Sequence, residues 1–368
     1  CAWLRAQRLG PASAGARARA RGGGMRFCGS PIDRAAAAGP RRDPRSLREL
    51  LEGGQARFLP VHEGRVLSSA ADEAVRLSWW RRGQLPARAE ERAIYLGPLR
   101  AAPGPGVQAF ALDLAPLALE AEALAAGPGL RWRSGRELLF TDAADDDVTV
   151  AGTALAATRW HAAAAFDGRT GLATEPVEGG AKRQVRGGSG KLYPRTDPVA
   201  IGLIVSPDGR RCLLGRGRQH PEGMYTCLAG FVEQCEAAEE ALRREALEEA
   251  GVRLGHVELV ASQPWPIGRA GSCELMLGCR AVALEEALSV NGAELADARW
   301  FTRAEVRQML QGLHPAGLRV PPPFAIAHHL IRDFAAPLGP AGGLWAPAAA
   351  CLLGLVAGVL IARLRARP

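Results

Sequence analysis

Residues 230–252 read GFVEQCEAAEEALRREALEEAGV, and this segment limits the possible folds more tightly than any other. Glu236–Ala250 consists almost wholly of strong helix formers. Gly251 follows, where a helix end favours a left-handed residue. Within the helix Glu245, Glu248 and Glu249 stand at i, i+3 and i+4, which places three carboxylates on one face. Like charges so placed repel by roughly a few tenths of a kcal/mol per exposed pair. The fold must therefore leave that face in water, as a solvated acidic surface, or give it something cationic to hold. Arg244 supplies one counter-charge, and a divalent cation supplies a stronger one. Carboxylate oxygens are hard ligands that suit Mg²⁺ or Mn²⁺, and Mg²⁺ commonly completes its shell with water and phosphate oxygens. The bare spacing points to metal-dependent phosphate chemistry.

The flanking sequence alternates strand and helix signals. Val199–Ser206 is a run of apolar β formers, Asp208-Gly209 is a turn, and Arg211–Leu214 closes a hairpin. Further strands are predicted at Met224–Ala229, Val257–Gln263 and Glu274–Val282, and helices at Glu236–Ala250 and Arg303–Gln311. This pattern predicts a mixed α/β domain over 195–335. Upstream, short apolar runs at Arg57–Val61, Ala93–Leu99, Val107–Leu114 and Leu138–Phe140 predict a smaller β-rich domain over 46–166. Its helices are expected at Ser46–Gly53, near Leu117–Ala126 and at Val148–Phe166. Residues 167–194 are Gly-rich and basic and read as a linker, as do the Ala/Arg/Pro-rich residues 33–46.

Charge and composition narrow the class. Lys and Arg total 46 against 38 Asp and Glu, a net charge of +8, but only Lys182 and Lys191 are lysines. The arginines are spread along the whole chain, so charge alone does not predict a nucleic-acid interface. Eight cysteines form no CxxC pair, which fits a reducing compartment better than a disulfide framework. Residues 1–32 hold six arginines and no acid, the character of a mitochondrial transit peptide, so 1–45 reads as transit peptide and linker. The tail 336–368 includes Leu344–Ala362, uncharged and followed by three arginines. As a helix that stretch is about 28 Å long, close to the hydrocarbon thickness of a bilayer, and it predicts membrane contact through 344–362.

The complete spacing in 230–252 is more specific than the acidic triplet. Gly230, five residues, Glu236, seven residues, Arg244-Glu245, Ala246, one residue, Glu248-Glu249, one residue, Gly251-Val252 matches the Nudix box at every fixed position. The chain resembles the Nudix hydrolases. Ser262-Gln263-Pro264-Trp265-Pro266 resembles the SQPWP motif of their NADH diphosphatase subfamily. Tyr193-Pro194, Pro198–Ile201 and Val320–His328 resemble that subfamily's entry into the catalytic domain and its last helix. Within the subfamily the likeness is nearest to the vertebrate mitochondrial NAD(P)H pyrophosphatases. It covers about 190–335.

The resemblance implies an α/β/α sandwich, with a smaller β-rich domain before it, and an enzyme that splits the pyrophosphate of NAD(P)H. The products would be a nicotinamide mononucleotide and AMP, or 2′-phospho-AMP. It implies Mg²⁺ or Mn²⁺ held by Glu245, Glu249, Glu294 and the carbonyl of Ala229. Glu248 would be a further ligand or base, and Arg244 would orient a carboxylate. Gln263, Pro264, Trp265, Pro266, Ser272 and Ala327 correspond to substrate contacts, and Trp265 serves equally as a core aromatic. A homodimer is expected. Rival readings are a hydrolase of ADP-ribose or of NAD-capped RNA ends, the one nucleic acid in view, and a nucleotide-binding module without turnover.

Three departures stand out. The motif continues Ile267-Gly268-Arg269-Ala270-Gly271-Ser272 in place of Phe-Pro-x-Ser. Cys235 occupies a position where glycine is usual. Residues 160–195 contain no cysteine, so no Cys₄ zinc ribbon is expected there.

Overall fold

The computed structural model describes residues 24–69, 74–100, 106–117, 129–268 and 271–337. The first of these segments corrects the linker reading. Residues 33–46 are mostly helical, in Arg34–Arg42 (α1) and Pro44–Glu52 (α2). Aspartates cap both starts: the Asp33 carboxylate accepts from the Ala36 amide, and that of Asp43 accepts from Arg45 and Ser46. Pro44 sits at the first turn, where its missing N–H costs nothing. Ile32 and Ala37 are buried, so this segment belongs to the folded body.

Five strands follow: Ala56–His62 (β1), Arg65–Ser69 (β2), Ala93–Pro98 (β3), Gln108–Asp113 (β4) and Leu130–Ser134 (β5). They form one sheet in the order β3-β4-β1-β2-β5, with β1 and β4 parallel and the other pairs antiparallel. Leu138–Phe140, expected as a strand, mostly lies in the short helix Gly135–Leu139 (α3). A capping box decides this, because Ser134 Oγ accepts from the Glu137 amide while Glu137 Oε2 accepts from that of Ser134. Most of the helix expected at 117–126 lies outside the described residues. Asp145–Ala163 (α4) buries Val148, Ala151, Ala154 and Leu155 against the sheet.

The supposed linker 167–194 is a second correction. It holds a three-stranded sheet, Thr174–Val177 (β6), Lys182–Val185 (β7) and Lys191–Leu192 (β8). Its organiser is the buried Arg183, an ion that composition alone reads as a sign of exposed loop. Arg183 donates to Thr174 Oγ1 at 2.6 Å, to the Thr174 carbonyl at 2.9 Å and to His161 Nδ1 at 2.8 Å. With Nδ1 accepting, His161 must carry its proton on Nε2, which donates to the Gly180 carbonyl at 2.8 Å.

The C-terminal body comprises Asp197–Val205 (β9), Arg211–Gly217 (β10), Leu228–Phe231 (β11), Ala238–Ala250 (α5), Leu254–Trp265 (β12), Glu274–Ala283 (β13), Leu295–Thr302 (β14), Arg303–Gln311 (α6) and Ile326–Ala335 (α7). The strand expected at 224–229 begins later and runs on to Phe231, and β14 was not anticipated. The sheet runs β12-β13-β9-β10-β14, with β11 also on β9. Only β9 and β13 are parallel.

Strand periodicity sorts β9 onto two faces. Ala200 and Ile204 join the cluster under α5, with Leu242 and Ala246. Ile201, Leu203 and Val205 join the opposite cluster with Val306, Leu330 and Phe334 of α6 and α7. The result is the expected α/β/α sandwich. Gly202 brings α5 close, since a Cβ there would sit 2.2 Å from Leu242 Cδ2. Residues 1–23, expected as transit peptide, and 344–362, expected at a membrane, lie outside the described residues. Among the described residues no helix is long and apolar enough to cross a membrane.

His161 gives this fold a pH dependence. Burial, then the charge of Arg183, hold its pKa below the ordinary 6.5, against the pull of the Gly180 carbonyl. The unfolded chain therefore binds a proton first as pH falls. The neutral form's contribution is complete above about pH 6.5 and is lost as pH drops from there toward the folded-state value. Urea unfolding between pH 8 and 5 should show that loss, and His161→Gln, which cannot charge, should reduce the slope. Identical slopes would contradict the assignment.

Candidate active site

The acidic helix face is assembled from two sides. On the first side, β11 pairs with β9 so that Ala229 lies opposite Ile201 and Gly230 opposite Ala200. Gly230 faces Glu245 so closely that a Cβ there would lie 1.8 Å from its Oε1. No other residue type leaves room for the carboxylate, which explains the glycine at the head of the segment without appeal to backbone strain. Ala229 is half-buried beside it.

Arg244 locks the loop before α5 to the helix. Its Nε and Nη2 donate to the two oxygens of Glu236, at 2.9 and 3.0 Å. Nη1 donates to Glu245 Oε1 at 2.8 Å and to Glu248 Oε2 at 3.1 Å, and Nη2 also reaches the Phe231 carbonyl at 2.8 Å. A planar fork serves five acceptors, a task lysine's point charge does not match. The Arg244 hydrogen bond is the main reason Glu236 titrates below the usual carboxylate range. Burial pushes Glu245 upward despite Arg244, and the charges of Glu248 and Glu294 add to the rise.

The second side is built on the end of α5. Gly251 stops the helix at φ +71°, with its amide returning to Leu247. The last carbonyls then accept from the following loop: Ser289 donates to Ala250 at 2.8 Å and Asn291 to Glu249 at 2.9 Å. A Cβ on Gly251 would fall 2.7 Å from Ser289 Cβ. Asn291 in turn accepts from the amides of Glu294 and Leu295, and so delivers Glu294 to the helix face. The role of Asn291 escaped sequence reading because a turn asparagine is an ordinary residue; only the bond to Glu249 marks it.

Glu245, Glu249 and Glu294 each offer an oxygen within 4.8 Å of the other two. Glu249 is buried, Glu245 half-buried and Glu294 exposed. At that spacing two ionised carboxylates repel by about 3 kcal/mol at an effective dielectric of about 20. Three hard oxygens converging in this way fit Mg²⁺ or Mn²⁺. Glu248 is exposed at the rim. A cleft of about 220 Å³ opens beside Phe231 and Val232, with Arg195, Asp197 and Pro198 on its other wall.

The sequence likeness was independently strong over this region. The family profile of the NUDIX domain matches residues 196–320. This chain contains a Nudix domain. The "NAD-capped RNA hydrolase NUDT12" of Homo sapiens is 45% identical over 183 residues, 48% of this chain and 39% of that protein. The "NAD(P)H pyrophosphatase NUDT13, mitochondrial" of Homo sapiens is 37% identical over 198 residues, 51% of this chain and 55% of that protein. "Nudix hydrolase 19, chloroplastic" of Arabidopsis thaliana is 36% identical over 248 residues, 54% and 57%. The chain thus spans between 39% and 57% of the length of these relatives.

The other residues singled out in the sequence are spread over the end of the Nudix sheet. Gln263 is fully buried. Its Nε2 donates to the carbonyls of Arg26 and Phe324 at 2.9 and 2.8 Å, and its Oε1 accepts from the Ile326 amide at 2.7 Å, capping the start of α7. This side chain braces three segments and is not presented to a cleft. Ala327 is likewise enclosed, in the core under α7. Trp265 is half-buried between Phe27, edge-on at 6.0 Å, and Phe324, stacked at 6.5 Å, so it is a packing aromatic joining the two bodies. Pro266 is buried and Pro264 exposed, and Ser272 donates to Glu274 Oε1 at 3.1 Å.

Cys235 adopts φ +62° in the loop ahead of α5, a left-handed backbone that explains the family's glycine at this place. A β-carbon there costs about 1 kcal/mol. Cys235→Gly should accordingly raise unfolding free energy by up to about 1 kcal/mol in urea titrations, offset in part by the entropy of the unfolded glycine. A clear loss of stability would contradict the strain.

Proposed function

We propose that this chain hydrolyses the pyrophosphate bond of NAD(P)H-type dinucleotides, releasing a nicotinamide mononucleotide and AMP or 2′-phospho-AMP. The observation that carries the reading is the convergence of Glu245, Glu249 and Glu294 within 4.8 Å at the end of an intact Nudix box. These three, with the Ala229 carbonyl, would hold Mg²⁺ or Mn²⁺. When bound, the ion supplies charge neutralisation at the pyrophosphate and acidifies a water.

The chain's own residues do the rest. Gly230 leaves the volume that the Glu245 carboxylate needs. Arg244 keeps Glu245 and Glu248 turned toward one another in spite of their repulsion. Glu248, exposed at the rim, takes the proton of the attacking water at its carboxylate. The cleft beside Phe231 is adjacent to this face and is the proposed place for part of the dinucleotide. Mitochondrial location is proposed from the acid-free, arginine-rich residues 1–32 together with the mitochondrial relative.

A second reading, hydrolysis of NAD-capped RNA ends, is supported by the 45% identity to the human relative bearing that name. The two share the same reactive linkage and differ in what hangs from it. Comparing kcat/KM for NADH, NADPH, ADP-ribose and an NAD-capped oligoribonucleotide ranks them. With Mn²⁺ and NADH, AMP should appear, and Glu249→Gln should lower kcat/KM by at least about 100-fold, the scale of losing one preorganised electrostatic group. The amide is nearly isosteric, so circular dichroism should be unchanged. Undiminished turnover would remove the assigned role.

A further inference from the structure

A second cleft, of about 170 Å³, is lined by residues of both bodies, including the start and end of the loop that follows the SQPWP segment. Ile267, Gly268 and Gly271 form one wall, and Gly135, Arg136 and Arg159 contribute to the other. No carboxylate is among its lining residues. Arg159, half-buried on α4, is its central cation. Two glycines from different bodies make room for its guanidinium: a Cβ on Gly64 would lie 2.9 Å from Nη2, and one on Gly271 would lie 2.3 Å from Cζ. Both have positive φ, +71° and +83°, so neither position suits a larger residue. Among the described residues no carboxylate pairs with Arg159, whereas Arg26, Arg82, Arg100, Arg244 and Arg280 each pair with one. A cation held in a shaped space without an internal counter-ion is suited to an external one.

One backbone bond ties the end of this loop to a residue of the first cleft. Cys273 at its end accepts from the Asp197 amide, and Asp197 lines the cleft beside Phe231. We propose that Arg159 binds a phosphate group that the dinucleotide carries beyond its pyrophosphate, and thereby favours phosphorylated over unphosphorylated dinucleotides. A planar guanidinium matches a phosphate dianion with paired N–H donors. The proposal rests on the hydrolase reading for the identity of its ligand, but the anion site itself does not need turnover.

The test uses the full chain and two probes without metal, adenosine 2′,5′-bisphosphate and AMP, titrated calorimetrically. The wild type should bind the bisphosphate more tightly. Arg159→Ala should weaken the bisphosphate about tenfold and leave AMP unchanged, a charge-assisted contact discounted for partial exposure. Arg159→Lys should recover part of the loss, and an unshifted melting temperature shows that the alanine variant is folded. In turnover, the KM for NADPH should rise about tenfold in Arg159→Ala while that for NADH and both kcat values hold. Equal affinity of the two probes in the wild type, or equal weakening of both in the variant, overturns the site. Should the bisphosphate preference appear while no dinucleotide is cleaved, the anion site stands and the hydrolase reading falls.

Discussion

The guanidinium of Arg244 ties the loop ahead of α5 to the helix it precedes. It offsets part of the charge of Glu236, Glu245 and Glu248 together, and through the Phe231 carbonyl it also fixes the end of β11. Without that fork, the carboxylates of one helix face would spread into solvent to relieve their repulsion, and the face would lose its shape. With it, Glu245 is pressed against Gly230, and burial there raises its proton affinity. The arrangement stores a charge imbalance that a divalent cation would relieve, which is the physical basis for assigning the face to phosphate chemistry.

The end of α5 plays the complementary role. Helix C-termini leave carbonyls without intrahelical partners. Here Ser289 and Asn291 satisfy two of them and so seat the loop that presents Glu294. A carboxylate 45 positions downstream of Glu249 in the chain thus joins a cluster whose other two members sit on one helical turn. The acidic triplet at i, i+3, i+4 only partly describes the site: Glu245 and Glu249 belong to the cluster, whereas Glu248 lies at the rim with Arg244.

Much of this was legible in the sequence. The box fixed the helix, its glycine stop and its charged face, and the period-2 run in β9 gave the central strand. What was not legible follows from interactions that ignore local composition. Residues 33–46 look like linker until Asp33 and Asp43 cap two short helices. Residues 167–194 look like linker until Arg183 is buried against His161 and Thr174. Leu138–Phe140 looks like strand until Ser134 and Glu137 close a box. In each case one or two polar side chains reverse the propensity of the apolar ones. The same holds for the SQPWP segment, where Gln263 is spent on bracing the N-terminal segment, the Phe324 turn and α7, and Trp265 packs between Phe27 and Phe324.

Gly230, Arg244 and Asn291 bring Glu245, Glu249 and Glu294 together, and under the proposed function the three would share one divalent cation. Crystals of the full chain soaked in Mn²⁺ and measured for anomalous scattering test it most directly. The account predicts a peak within coordination distance of oxygens from all three glutamates, absent in Glu249→Gln crystals. A peak elsewhere, or none at a concentration that supports turnover, would contradict it.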